Sequence, residues 1–306
     1  MTYDLIILGG GPAGIAAGIY AARKKIKTLL ITDAFGGQSV IASEIKNFIG
    51  FKSISGVEMA KKLEEHLRAQ EDIEIKDGLK VLAIEKQNEN FLVKTNKEEF
   101  FESKTILIAL GSHYRRLKVI GEKEFGGKGV FYCSICDAPL MKNKTAAVIG
   151  GGNSGFDAVA DLLSYASKIY LLEFSDALKG DPLTFGKLKA SGKLEIITMA
   201  NAKEITGDNF VSTLKYENRK TGEIKEIKTD GVFAAIGYEP NTDLVKNLVE
   251  INEEGKIIVD CKTQKTSHEG VWAAGDATDV LYNQINIAIG DAIKAALNIY
   301  EYLKSK

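Results

Sequence analysis

Two short glycine loops constrain this chain more than anything else in it. In the first, the apolar run Asp4-Leu5-Ile6-Ile7-Leu8 stops at Gly9-Gly10-Gly11-Pro12-Ala13-Gly14. In the second, Ala146-Ala147-Val148-Ile149 stops at Gly150-Gly151-Gly152-Asn153-Ser154-Gly155. A helical stretch follows each loop, to about Lys25 and about Ala166, and then a second short apolar run, Thr28 to Thr32 and Ile169 to Leu172. Runs this short and this uniformly apolar are expected of strands buried on both faces of a parallel sheet. The grammar strand, glycine turn, helix, strand is therefore written twice.

A helix that opens at such a turn aims its unpaired N–H groups, and the positive end of its dipole, at whatever lies above the loop; phosphate is the natural occupant. The first glycine makes the turn, the second lets a pyrophosphate approach, and the third lets helix and strand pack closely. With 30 glycines among 306 residues a lone G-x-G-x-x-G carries little weight. Here the strand and helix context repeats, and so does an acid: Asp33 and Glu173 follow the second strands of the two units at nearly the same offset. An acid there accepts from ribose hydroxyls and repels a 2′-phosphate. The predicted fold is α/β with two Rossmann-like dinucleotide-binding domains, and two dinucleotides on one chain suggest electron transfer between them.

Length fits that reading, since 306 residues make about two domains at ~150 each. Forty basic against 41 acidic side chains give a net charge of −1 and no general attraction to nucleic acid or membrane. The longest uncharged stretch, Leu5 to Ala22, holds five glycines and a proline and follows Asp4, so it reads neither as a membrane span nor as a signal peptide. A cytoplasmic location is expected. Between the units, Val57 to about Gln70 patterns as an amphipathic helix whose Met59, Leu63 and Leu67 face a core. Thr105 to Ala109 reads as a further buried strand, Lys225 to Ile227 and Gly231 to Ile236 as strands after the second unit, Gly270 to Ala274 as the last strand, and a helix from about Gln284 closes the chain.

Three cysteines exclude a disulfide-scaffold protein. Two of them form Cys133-Ser134-Ile135-Cys136, followed by Asp137. Half a zinc site is one reading, but only Cys261, His66, His113 and His268 remain as partners and no second pair exists; no metal is expected. The redox reading fits better: one thiolate attacks a partner disulfide, its neighbour resolves the intermediate, and an adjacent carboxylic acid moves the proton. Cys261 and His113 read as structural residues.

These motifs together resemble the low-molecular-weight thioredoxin reductases, and more closely the flavoprotein subunit of alkyl hydroperoxide reductase without its N-terminal thioredoxin-like extension. The resemblance rests on Gly9 to Gly14; Phe35-Gly36-Gly37-Gln38 with Asn47; Gly129-Val130 and Cys133 to Asp137; Gly150 to Gly155; Ile236-Gly237-Tyr238-Glu239-Pro240-Asn241-Thr242; Gly270 to Asp276; and Gln284 with Gly290. It implies FAD held at Gly9, Gly11, Pro12, Ala13, Gly14, Asp33, Gly37, Gln38, Asn47, Val81, Ala109, Gly111, Gly275, Asp276, Gln284 and Ile285. It implies a pyridine nucleotide at Gly150, Gly152, Asn153, Ser154, Gly155, Glu173, Ile236 and Gly237. The nicotinamide domain, about 118–245, would be inserted into an FAD domain made of 1–117 and 246–306. Cys136 would be the flavin-proximal thiol, Cys133 the exchanging one and Asp137 the acid/base. The partner would be a thioredoxin- or glutaredoxin-like protein, and relatives are homodimers.

Three departures bear on this. Where NADPH-dependent members carry a His-Arg-Arg cluster, this chain has Glu173-Phe174-Ser175-Asp176, which implies NADH. The usual Ala-Thr-Gly is Ala109-Leu110-Gly111, and the usual acid-glycine pair of the closing helix is Asp291-Ala292. Two other readings stay open: the same flavin and dithiol fed by another donor such as ferredoxin, and a non-catalytic nucleotide-binding redox sensor.

Overall fold

The computed structural model describes residues 2–42 and 44–306. The chain begins with β1 (Thr2–Gly10), α1 (Pro12–Arg23) and β2 (Thr28–Phe35), then α2 (Gly56–Arg68), β3 (Ile73–Lys76) and a meander of β4 (Val81–Gln87), β5 (Asn90–Thr95) and β6 (Phe100–Ile108). After β7 (Ser112–Tyr114) come β8 (Val130–Phe131), α3 (Ser134–Asp137), β9 (Thr145–Ile149), α4 (Asn153–Leu163), β10 (Lys168–Leu172), α5 (Pro182–Lys189) and β11 (Leu194–Ile197). An antiparallel trio follows, β12 (Ala200–Gly207), β13 (Val211–Asn218) and β14 (Ile224–Lys228), and then β15 (Gly231–Ala234). The chain ends with β16 (Tyr238–Pro240), β17 (Val271–Ala273) and α6 (Ile285–Lys304).

Two compact units result, one of residues 1–113 and 239–306, the other of 114–238. The crossings expected after Leu117 and Val245 fall earlier, at His113/Tyr114 and Tyr238/Glu239. The reason is a long-range pairing: β7 and β16 form a two-stranded ribbon, and the chain changes unit within it.

In the first unit the sheet order is β3-β2-β1-β6-β5-β4, with β17 also on β6; β3, β2, β1, β6 and β17 run parallel. Alternate residues serve opposite faces, as the period of a strand requires. Leu5, Ile7, Leu30, Leu107 and Trp272 meet α1 and α6, while Ile6, Leu8, Leu29, Ile31, Ile106 and Ile108 fill the other core. Helices α1 and α6 approach closely because alanines line both: Ala13, Ala16, Ala17 and Ala21 with Ala288, Ala292, Ala295 and Ala296. The stripe of α2 is core, with Met59 and Leu67 buried and Leu63 packed against them. The second unit repeats the plan as a parallel sheet, β11-β10-β9-β15-β8, with the β12-β13-β14 sheet beside it. Among the described residues, no helix is long and apolar enough to cross a membrane.

Candidate active site

The second unit carries the dithiol, here as a disulfide. Cys133 and Cys136 are bonded, with Cα atoms 5.3 Å apart. Cys133 caps α3, its sulfur accepting the Cys136 amide at 3.3 Å. Pro139 lacks an N–H, and the single α-turn gives way to a 3-10 turn over Ala138–Met141. Ser134 Oγ donates to Asp161 Oδ2 at 2.7 Å, fastening the turn to α4. Ile135, between the cysteines, is 58% exposed, whereas Asp137 is buried. That burial pushes the Asp137 carboxyl from 3.8 up to about 7. An acid poised there gives and takes a proton with nearly equal ease at neutral pH. Among the described residues, no group of three His, Cys, Asp or Glu side chains is placed to hold a metal.

The two glycine loops are built alike. Gly9 and Gly150 have φ of +112° and +120°, a region that only glycine enters at no cost. A Cβ on Gly9 would lie 2.3 Å from Ala109 O, and one on Gly150 2.4 Å from Ala235 O. A Cβ on Gly14 would lie 1.9 Å from Gly9 O, and one on Gly155 1.8 Å from Gly150 O. The first and third glycines thus let strand and helix touch. The middle ones differ: a Cβ on Gly11 meets nothing nearer than Gly37 Cα at 4.0 Å, and one on Gly152 meets nothing. Gly11 and Gly152 are the N-caps of α1 and α4, and neither helix start has a side-chain cap. Both loops therefore keep open space in front of a bare helix N-terminus.

Glu173 is tied into the second loop. Its Oε2 accepts the Gly151 amide at 2.6 Å, and its Oε1 accepts the Ser175 amide at 2.8 Å and the Ser175 hydroxyl. Desolvation raises its pKa, but the Ser175 and Gly151 hydrogen bonds and the charge of Lys179 outweigh that, and the net shift is downward. Asn153 and Ser154 open α4, and Asn153 Oδ1 accepts the Asp181 amide at 3.0 Å. Ile236 lies 3.3 Å from the Cβ position of Gly150, and Gly237, with φ +95°, faces open space.

In the first unit most of the expected residues converge. A Cβ on Gly37 would lie 3.4 Å from the Gly11 Cα and 3.9 Å from Pro12, which opens α1. Gly275 sits between Ala13 and Ala288. Asn47 Nδ2 donates to Gln284 Oε1 at 3.1 Å, at the N-cap of α6, where Ile285 begins the helix. Gln38 Nε2 donates to Ser112 Oγ at 3.1 Å, while its Oε1 is buried without a partner among the described residues. Gly111, φ +63°, faces open space, and Leu110 packs into the core. Burial raises the pKa of Asp276, against the opposing pull of Asn283 and Lys256.

Two residues stand apart. Asp33 lies on β2 instead of after it and is exposed, because β2 bulges between Ile31 and Phe35, opposite Leu8 to Gly10 of β1, and continues to Phe35. Val81 opens β4 at the sheet edge, although Leu79 N–H bonds Thr32 O at 3.0 Å and brings that strand's start beside β2.

Residues 3–292 match the family profile described as pyridine nucleotide-disulphide oxidoreductase. The chain belongs to that family. It is 42% identical over 301 residues to a protein named NADH dehydrogenase from Bacillus subtilis (strain 168), covering 98% of this chain and 58% of the relative. It is 40% identical to a protein from Staphylococcus aureus (strain MSSA476) named as a subunit of alkyl hydroperoxide reductase, covering 98% and 59%. The chain thus spans about three-fifths of the length of these relatives. Thioredoxin reductase from Streptococcus pyogenes MGAS5005 superposes with a TM-score of 0.94 at 35% identity, over 100% of this chain and 99% of that one.

Two side chains, Arg219 and Ser112, carry no local sequence signal. Arg219, from the turn after β13, lies 3.7 Å over the ring of exposed Phe174 and donates to Phe174 O at 2.9 Å, next to Glu173. Ser112 fixes Gln38. His113 is satisfied, Nδ1 against Asn241 Oδ1 (2.8 Å) and Nε2 against Glu239 Oε2 (3.0 Å). Cys261 is a free, exposed thiol.

Proposed function

We propose that this protein is an FAD-dependent disulfide reductase of the thioredoxin reductase type, taking electrons from NADH and passing them through Cys133 and Cys136 to a thioredoxin- or glutaredoxin-like protein. One observation carries the reading: a half-buried disulfide with a buried, near-neutral acid shares a unit with a nucleotide loop whose acid is already set. FAD fits the first unit. The open face of Gly11 would admit a pyrophosphate, and the orphaned Gln38 Oε1 is an acceptor that a ring N–H of the flavin could satisfy. Asn47 and Gln284 hold the α6 N-terminus, whose dipole favours added negative charge. When bound, FAD supplies the two-electron relay between nicotinamide and disulfide.

The chain's own residues do the rest. Two electrons and two protons turn the Cys133–Cys136 disulfide into two thiols. The Cys133 sulfur, as thiolate, attacks a partner disulfide and displaces one partner sulfur; Cys136 then displaces the other, restoring the bond and leaving the partner as a dithiol. Asp137 holds or releases the proton this exchange moves. One unit carries both the dithiol and the nucleotide loop. Glu173 accepts from the ribose hydroxyls of NADH and repels a 2′-phosphate. A homodimer in the cytoplasm is the expected setting, and sedimentation tests the former.

The test is anaerobic titration of the purified yellow protein with NADH and with NADPH, followed by a protein disulfide. Bleaching by NADH and re-oxidation by the disulfide are expected. No bleaching by either nucleotide points instead to another donor, and bleaching without disulfide turnover defeats the proposal.

A further inference from the structure

The redox turn is poorly supported by its own secondary structure. Cys133 lies between β8, two residues long at the edge of its sheet, and the single turn α3. Only Val130 and Phe131 pair with a neighbour, Val232 and Phe233 of β15. Ser134 secures the far side through Asp161. On the near side the one residue left is Tyr132, and it is buried.

Tyr132 is held at both ends. Its hydroxyl donates to Glu122 Oε1 at 2.8 Å and accepts from an Arg116 Nη at 2.6 Å. The Arg116 guanidinium also stands 4.7 Å from its ring centre. Burial, with the hydrogen bond and charge of Glu122, pushes the phenol up to about 12, so the hydroxyl remains a donor throughout the working range. Glu122 is buried too, and its oxygens also take the Leu117 amide at 2.9 Å and the Lys118 amide at 2.8 Å. Lys118 has φ +58°, a conformation unfavourable for a side-chain-bearing residue, which these bonds hold in place. The Tyr132 ring packs 5.2 Å from Tyr114, and Tyr114 packs 4.8 Å from Tyr238. Tyr114 and Tyr238 are the first and last residues of this unit.

We infer that Tyr132 is a positioning residue for the Cys133–Cys136 pair, tying it through Glu122 and the tyrosine stack to the segments by which the chain enters and leaves the unit. The buried Tyr132–Glu122 pair, flanked by the exposed Arg116, adds little net stability over apolar packing of the same volume, but it fixes geometry. Fixed geometry raises the effective concentration of one sulfur at the other and so favours the disulfide. The inference rests on the disulfide reductase reading for its role in turnover, but not for its effect on the pair itself.

The test uses the purified full chain with its flavin. Wild type, Tyr132→Phe and Arg116→Met are equilibrated in dithiothreitol buffers, and the pair is scored by thiol trapping and mass. Tyr132→Phe keeps the ring stack and deletes the hydroxyl; about a threefold or larger shift of the equilibrium constant toward the thiols is expected. Arg116→Met should shift it less in the same direction. Turnover with a protein disulfide should fall with the shift, while flavin reduction by NADH stays unchanged. If both variants fold and leave the equilibrium at the wild-type value, losing only thermal stability, Tyr132 is structural and the inference is overturned. Should wild type reduce no protein disulfide, the proposed function fails, yet the dithiothreitol equilibrium still decides the role of Tyr132.

Discussion

The Gly151 amide donates to Glu173 Oε2 at 2.6 Å, so the acid that follows β10 is fastened to the nucleotide loop it serves. Loop shape therefore depends on this carboxylate, and on the proposed function cofactor choice would depend on it too. Its pKa is lowered by the Ser175 and Gly151 bonds despite desolvation, and it is charged throughout the neutral range.

From this follows a preference for NADH. A 2′-phosphate beside an ionised Glu173 sets like charges together, and about 1.4–2.8 kcal/mol of repulsion gives roughly tenfold to hundredfold discrimination. Stopped-flow flavin reduction should show it, and Glu173→Gln should narrow it. Equal rates with NADH and NADPH in the wild type would falsify this role for Glu173.

Asp137 predicts a pH dependence of stability with a definite sign. Its pKa is about 7 in the folded protein against an ordinary 3.8, so the folded state holds an extra proton between those values. Stability from this group is intact below about pH 4 and is lost as pH rises through 7, by on the order of 4 kcal/mol. Asp137→Asn should raise the melting temperature at pH 8, change it little at pH 4, and slow disulfide turnover. A variant no more stable than wild type at pH 8 would contradict the burial of a charged carboxylate there.

The glycines of the second loop separate folding from binding. Gly155→Ala drives a Cβ into Gly150 O and should cost about 1–3 kcal/mol or more. Gly152 has φ −91° and open space ahead, so Gly152→Ala should leave stability within about 0.5 kcal/mol while weakening NADH binding at least tenfold. Denaturant melts and nucleotide titration measure the two effects, and equal destabilisation by both substitutions would remove the distinction.

The cysteines separate flavin reduction from disulfide turnover. Cys133→Ser and Cys136→Ser should each abolish reduction of a thioredoxin-like substrate and leave NADH-to-flavin transfer intact. Wild-type reduction of a protein disulfide by either variant would unseat the pair.

Much of the fold was readable because its signals are local. The glycine loops show in sequence because positive φ at Gly9 and Gly150, and the missing Cβ at Gly14 and Gly155, are demands of a single turn. The Met59, Leu63 and Leu67 stripe and the spacing of Cys133 and Cys136 are equally short-range. Gln38 with Ser112, Asn47 with Gln284, and Tyr132 with Glu122 left no such trace, since each pairs residues whose separation along the chain implies nothing about their distance in space.

By itself, then, the sequence determined two dinucleotide loops, an acid near the end of each second strand, and a dithiol with a neighbouring carboxyl. Backbone conformation and i,i+3 contact fix those. Only the tertiary structure decided that the crossings fall at Tyr114 and Tyr238, that Glu173 is bound to its loop while Asp33 stands exposed on β2, and that Asp137 titrates near neutrality. These depend on strand pairing, bulges and burial, which arise when distant segments exclude water from one another.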